Sequence, residues 1–187
     1  MKNTLLLAAT MGGFLCAQTA MAEDFKFEPE KMYFSLGATV SKLDEDGFSS
    51  ASGYQISAGY DLPFKLADAV HTAVEVGYMN SGKFDAKPTL VGTSIVTPES
   101  EELDSFRVSG VASLSFADLT KMAGVSVSDP SSFELFARLG YDFGDDDGII
   151  YGAGVEYEFS EAFSINGEIV VGSEVNTGIL NLTYHMQ

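Results

Sequence analysis

Hydrophobic and polar residues alternate one by one along most of this chain. The clearest run has Phe133, Leu135, Ala137, Leu139, Tyr141 and Phe143 in one phase and Glu134, Phe136, Arg138, Gly140 and Asp142 in the other. After Gly144-Asp145-Asp146-Asp147-Gly148 the pattern resumes. Ile149, Tyr151, Ala153, Val155, Tyr157 and Phe159 then stand against Ile150, Gly152, Gly154, Glu156 and Glu158. A period of two is the mark of a β-strand, and Asp-Gly between two such runs predicts a hairpin. Each run matches the ~9–11 residues that a tilted strand needs to cross a bilayer, where a soluble strand usually has ~5–6.

Six further runs follow the same rule. Strands are predicted over about 32–41, 53–62, 70–79 and 105–116, then the hairpin, then about 163–172 and 176–186. Residues 80–104 form the longest connection, rich in Ser, Thr, Pro and acid, and long loops of this kind commonly carry function. Residues 117–131 leave two readings open: a short strand through Val125 and Val127, or a helical turn over Leu119 to Ala123. Eight strands is an even number, as bacterial membrane barrels require.

The distribution of charge says which face is outside. The apolar phase (34–40, 54–62, 70–78, 106–116, 133–143, 149–159, 163–171 and 178–186, in steps of two) carries no charge at all. The opposite phase carries Asp61, Glu75, Arg107, Glu134, Arg138, Asp142, Glu156, Glu158 and Glu168. A charge facing mid-bilayer costs ~2–4 kcal/mol for Arg or Lys, so an empty face is what lipid enforces. A soluble sandwich or lipocalin-like barrel would solvate its polar face and place lysines on it. Here all eight lysines fall in the leader, at strand ends or in connections, and the only two arginines lie within strands beside carboxylates. Arg suits buried bidentate pairing. Glu75, Arg107, Glu134, Arg138, Glu156 and Glu168 are therefore expected to form a charge network inside a narrow lumen filled by Gly, Ser, Thr and Asn. Aromatics gather at the strand ends, as membrane interfaces require. Tyr60, Phe116, Phe133, Phe159, Phe163 and Tyr184 fall at one end, and Tyr54, Tyr78, Phe106, Tyr141, Phe143 and Tyr151 at the other.

Composition narrows the setting. Lys2, the apolar run Leu5 to Leu15 and Ala20-Met21-Ala22 have the layout of a cleaved secretory signal over residues 1–22, leaving a single domain over 23–187. Cys16 is the only cysteine, and Leu15 before it is not the small residue that lipidation favours. The mature chain then has neither disulfide nor thiolate ligand. A net charge of −17 excludes a nucleic-acid footprint. No segment is apolar for long enough to be a transmembrane helix, so crossing a membrane requires a closed barrel.

The stretch Tyr151-Gly152-Ala153-Gly154-Val155-Glu156-Tyr157-Glu158-Phe159-Ser160, Glu168 on the next strand, and the pairs Gly59-Tyr60, Gly77-Tyr78 and Gly140-Tyr141 resemble a known family. They are similar to the small eight-stranded outer-membrane β-barrels, the group of the OmpA transmembrane domain and OmpX, over the whole mature chain. The resemblance implies outer-membrane lipid, lipopolysaccharide and the barrel-assembly machinery as partners. It also implies a structural or surface-contact role within this OmpA-like porin family of the Gram-negative cell envelope. One departure stands out: the family usually ends on an aromatic residue that the assembly machinery reads, and this chain ends Tyr184-His185-Met186-Gln187. No peptidoglycan-binding domain is implied.

Eight strands leave a lumen just filled by side chains, so the lumen charges are expected to be structural, with a glutamate protonated or water-bridged where acids outnumber arginines. An acyl hydrolase would want a Ser-His pair at the lipid face; His71 and His185 are both in the lumen phase and neither has a serine two residues on. The acid clusters Asp44–Asp46, Glu99–Asp104 and Asp145–Asp147 lie in connections at one end. They could bridge lipopolysaccharide phosphates through divalent cations, but calcium-loop spacing is absent and a solvated turn explains them as well.

The expectation is an all-β, eight-stranded antiparallel up-and-down transmembrane β-barrel, monomeric, without cofactor, metal or catalytic residues, and placed in the outer membrane of a Gram-negative bacterium. Its outer loops, 80–104 above all, would make its contacts. The competing reading is a soluble periplasmic lipocalin-like barrel that binds a small apolar ligand.

Overall fold

A computed structural model describes residues 26–44, 47–67, 69–91, 94–96, 99–124 and 132–187. The predicted signal segment lies outside them. Eight long strands form the barrel: β1 (Met32–Leu43), β2 (Ala51–Asp61), β3 (Val70–Phe84), β4 (Glu101–Ser115), β5 (Phe133–Gly144), β6 (Gly148–Ser160), β7 (Phe163–Val171) and β8 (Val175–His185). Every strand pairs antiparallel with its sequence neighbour, and β8 pairs with β1 to close the cylinder. The closing register runs from Tyr33↔His185 to Leu43↔Val175. Closure satisfies every strand edge, which is what allows a sheet to sit in lipid.

The alternation sorts the two faces as the charge pattern predicts. Along β1, Ser35, Thr39 and Ser41 are buried while Phe34, Leu36 and Val40 are exposed. The same holds in β7, where Ser164, Asn166, Glu168 and Val170 point in and Phe163, Ile165 and Ile169 point out. Exposed apolar residues encircle the barrel: Leu36 is 61% exposed, Leu139 66% and Ile169 66%, while Glu168 is 4% exposed. A monomeric soluble protein rarely leaves apolar patches above a few hundred Å² uncovered. This fold is inside-out, so its exterior needs lipid.

The structure departs from the alternation pattern at three places. β3 and β4 are longer than predicted, so residues 80–84 and 101–104 belong to strands and the connection proper is 85–100. Alternation breaks there because the register shifts between Asn80 and Lys83. Gly82 turns at φ 72 within that bulge, where a Cβ would meet the Ser52 carbonyl oxygen. A small two-stranded ribbon, Thr89–Val91 with Ser94–Val96, lies within the connection.

The second departure concerns the hairpin turn. Asp147-Gly148 does not form the tight turn the dipeptide suggests: Gly148 already pairs with Asp142. The special backbone is at Gly144, φ 140. A Cβ there would stand 2.4 Å from the Asp104 carbonyl oxygen, so the turn needs glycine on its near side.

The third is the open stretch after β4, which begins as a helix, α1 (Phe116–Ala123). The Ser115 side chain caps its N-terminus by accepting from the Asp118 N–H, and Gly124 ends it in the left-handed conformation. Phe116, expected as the last strand aromatic, instead opens this helix. Val125 and Val127 lie outside the described residues.

An apolar plug is packed at the barrel end opposite His185. Leu43, Ala51, Phe84 and Val175 are buried together there, with Phe48 and Leu103 packed against them. Leu43, Ala51 and Val175 lie on the inward phase, where polar residues dominate elsewhere, and Phe84 joins them through the register shift in β3. The first connection is stitched to the residues just past the tip of the third strand's extension by Ser49 N–H to Asp85 O (2.9 Å) and Lys87 N–H to Gly47 O (2.6 Å). Phe84→Ala empties the middle of this plug and should destabilise the barrel by about 3–5 kcal/mol. A urea titration in detergent micelles reads this directly.

Beside the plug, Asp146 is buried in the β5–β6 turn and its Oδ1 accepts the Glu174 N–H at 2.9 Å. Burial raises its carboxyl above the usual range, and the backbone N–H groups of Glu174 and Val175 pull it back. A carboxyl raised in the folded state favours folding below its unfolded pKa and loses that contribution as pH rises through the folded value. Asp146→Asn should therefore gain on the wild type as pH rises from about 4 to about 8. Equal urea midpoints across that range would remove burial as the governing cause.

Candidate functional site

The lumen is a stack of polar layers, each set by the inward phase of the strands. At its centre Arg138 on β5 donates through Nε to Glu168 Oε2 (2.9 Å) and through Nη2 to Glu168 Oε1 (3.2 Å). Its Nη1 donates to Glu75 and, at 3.1 Å, to Ser109 Oγ. Glu168 is on β7 and Glu75 on β3, so this one guanidinium ties together strands two places away on either side. All three side chains are under 10% exposed. Pairing of this kind offsets the cost of carrying charge into a dry interior.

A second node lies nearer the plug. Arg107 on β4 donates through Nε to Asp142 Oδ1 and through Nη2 to Asp142 Oδ2, both 2.8 Å. Asp142 is the direct cross-strand partner of Arg107 and has 0% exposure. Amides form a chain beside the Arg138 node: Gln55 Nε2 donates to Asn181 Oδ1 and Asn181 Nδ2 to Asn166 Oδ1, each 2.8 Å, and Asn181 Nδ2 also approaches Glu168 Oε1 at 3.4 Å. The gap beside Arg107, lined by Gln55, Ser57, Glu75 and Met79 among others, has no room for a water-sized sphere.

The expected network is therefore divided. Glu75, Arg107, Arg138 and Glu168 sit in the buried layers, and Asp142 joins them as the carboxylate of Arg107. Glu134 and Glu156 do not bond to either arginine. Glu134 is four residues from Arg138 along β5, about 13 Å at the strand rise, which exceeds the reach of a guanidinium. Glu134 and Glu156 are opposite one another and line a cavity of about 340 Å³ at the end that holds the termini. Asp61, Glu158, His71 and His185 share this vestibule, and Glu75 and Arg138 form its floor. His185 Nε2 lies 3.1 Å from Ser164 Oγ and 3.6 Å from Glu156 Oε1.

The aromatics form two rings of contacts on the outer face. Tyr54–Tyr78 (6.2 Å between centroids), Tyr78–Phe106 (5.3 Å) and Tyr141–Phe143 (4.8 Å) lie at the plug end, where Tyr151 is also exposed. At the other end are Phe133–Tyr157 (4.7 Å), Phe159–Phe163 (6.3 Å) and Phe163–Tyr184 (5.3 Å). Tyr60 is covered by Phe27, stacked at 5.4 Å, and its hydroxyl accepts the Glu28 N–H. Among the described residues no group of three or more His, Asp or Glu side chains is arranged to hold a metal ion.

A closed barrel with an uncharged apolar outside and a packed, ion-paired inside defines an integral-membrane β-barrel. Residues 6–181 match the outer membrane protein beta-barrel domain, and the chain belongs to that family. No curated protein sequence matches it. Among solved structures it is similar to the outer membrane protein Ail of Yersinia pestis, with 14% identity over 82% of this chain and 97% of that one, TM-score 0.48. It is also similar to Neisserial surface protein A, with 15% identity over 83% and 97%, TM-score 0.42. A de novo designed transmembrane β-barrel gives 15% identity over 86% and 98%, TM-score 0.44. These likenesses say nothing about activity.

Arg138→Met removes the shared cation from two buried carboxylates and should cost about 3–5 kcal/mol. Adding Glu75→Gln and Glu168→Gln should recover much of that loss, as seen in urea midpoints in micelles. An unaltered midpoint in the single variant would show that the barrel does not depend on this tie.

Proposed function

We propose that this chain is a monomeric, non-enzymatic barrel of the Gram-negative outer membrane, exported by a cleaved signal, that acts through the loops opposite its termini. With both termini periplasmic, the plug end faces outward, and lipopolysaccharide and the barrel-assembly machinery are its expected partners. The observation that supports the reading is the side-chain-filled lumen. Glu75 and Arg138 line the inner end of the vestibule, and the Arg107–Asp142 pair and the Leu43/Phe84 cluster are buried elsewhere in the barrel. A lumen occupied in this way leaves the outer surface for function.

The loops support this. β3 and β4 run past Tyr78 and Phe106 as far as Phe84 and Glu101, so the base of connection 85–100 is strand rather than loop. Tyr78 Oη and Asn80 Nδ2 donate to Asp104 Oδ1 at 2.6 and 2.8 Å, which stiffens the base of the extension. Hydrolysis has no support here, because Ser164 and Glu156 approach the same nitrogen of His185. A Ser-His-acid relay needs the acid on the other nitrogen.

The protein should fractionate with the outer membrane, migrate differently in SDS gels when unheated, and give no steady conductance in planar bilayers. Exchange of residues 85–100 for a short Gly-Ser turn should abolish adhesion or phage adsorption by cells while leaving the heat-dependent mobility intact. Sustained channels, or a soluble periplasmic product, would overturn the proposal.

A further inference from the structure

The vestibule contains one contact that neither the lumen packing nor the outer loops account for. His185 is the last residue of the last strand. It pairs with Tyr33 of β1 across the seam that closes the barrel, with the two rings 5.8 Å apart. From there its imidazole reaches across β7, touching Ser164, to Glu156 on β6. One side chain thus spans four consecutive strands at the open mouth.

The charges facing it are almost all negative. β6 presents Glu156 and Glu158, β5 presents Glu134 and β2 presents Asp61, while β3 adds His71 and Glu75. β7 contributes the uncharged Asn166 to the lining and the Ser164 hydroxyl to His185. Neither arginine is available to this ring, since Arg138 is held by Glu75 and Glu168 and Arg107 by Asp142. Lys31, at the entry to β1, is held by Glu28 at 2.6 Å. Like charges set opposite one another across strands, as Glu134 and Glu156 are, oppose pairing.

We propose that His185 is a proton-operated clasp: protonated, it ties the closing strand to β6 through Glu156, and neutral, it leaves the vestibule carboxylates uncompensated and the mouth loosened. The Ser164 contact survives in both forms, because either partner can donate. The Glu156 contact gains its ionic character only with the proton. An imidazole changes charge between about pH 5 and 8, the range in which the clasp would work. The carboxylate cluster exists only in the folded barrel. Stability from the clasp is therefore present at the acid end of that range and is lost as pH rises. This inference is independent of the outer-loop reading and would stand if that reading failed.

The test uses the whole mature chain in zwitterionic micelles. In an Asp146→Asn background, which removes the turn carboxyl's own pH dependence, the chain should show a folded-to-unfolded ratio about threefold higher at pH 5.5 than at pH 8, the size of a partly exposed ion pair. His185→Gln and Glu156→Gln should each remove most of that difference. His71→Gln leaves His185 as the sole imidazole for NMR titration, and its midpoint should move when Glu156→Gln is added. This second readout holds even if His185→Gln fails to fold. A pH dependence unchanged in His185→Gln, or a His185 titration indifferent to Glu156→Gln, would overturn the clasp.

Discussion

Everything in this barrel follows from carrying charge inside a cylinder whose outside meets lipid. At mid-height the eight strands leave a lumen just filled by side chains, so an ion there must find its partner among them. Arg138 satisfies this by bridging Glu75 on one side and Glu168 on the other. Because those carboxylates sit two strands away in each direction, the tie does more than neutralise. It fixes the barrel's cross-section at mid-height. The glycines of the inward phase then follow as a packing consequence: a Cβ at Gly154 would meet the Phe136 ring at 2.5 Å, and one at Gly59 the Tyr33 ring at 1.9 Å.

From that layer the two ends diverge. Towards the plug, the Arg107–Asp142 pair and then apolar side chains follow, until Phe84 is wholly buried. Towards the termini, the lumen opens into carboxylates with little to balance them. Apolar packing at one end and electrostatic tension at the other come from the same geometry. A mouth that contacts water can hold unpaired charge at small cost, whereas a mid-barrel layer cannot.

Much of this was legible in the alternation alone. A period of two assigns each residue a face, and the absence of charge from one phase identifies the lipid side without any contact information. What alternation lacks is register. Asp142 was visible as an inward acid, but only the pairing of β4 with β5 sets it opposite Arg107. Glu134 and Glu156 look equivalent to Glu75 and Glu168 by phase, and differ only in height along the axis. Height depends on strand tilt and stagger, which side-chain period does not encode.

The same reason explains the extended β3–β4 arm. Beyond Asn80 a register shift changes which residues point inward, so Phe84 enters the core from a stretch whose composition reads as loop. Helix α1 was open for a different reason: eight residues are too few for a periodic signal to prevail, and the determinants are local ones, the Ser115 cap and the left-handed Gly124. Strand face is a property of pattern, while height, stagger and capping are properties of neighbours. The chemistry of this barrel resides in the second group. Its buried ion pairs, its plug and its acidic mouth differ only in where along the axis an inward residue happens to stand.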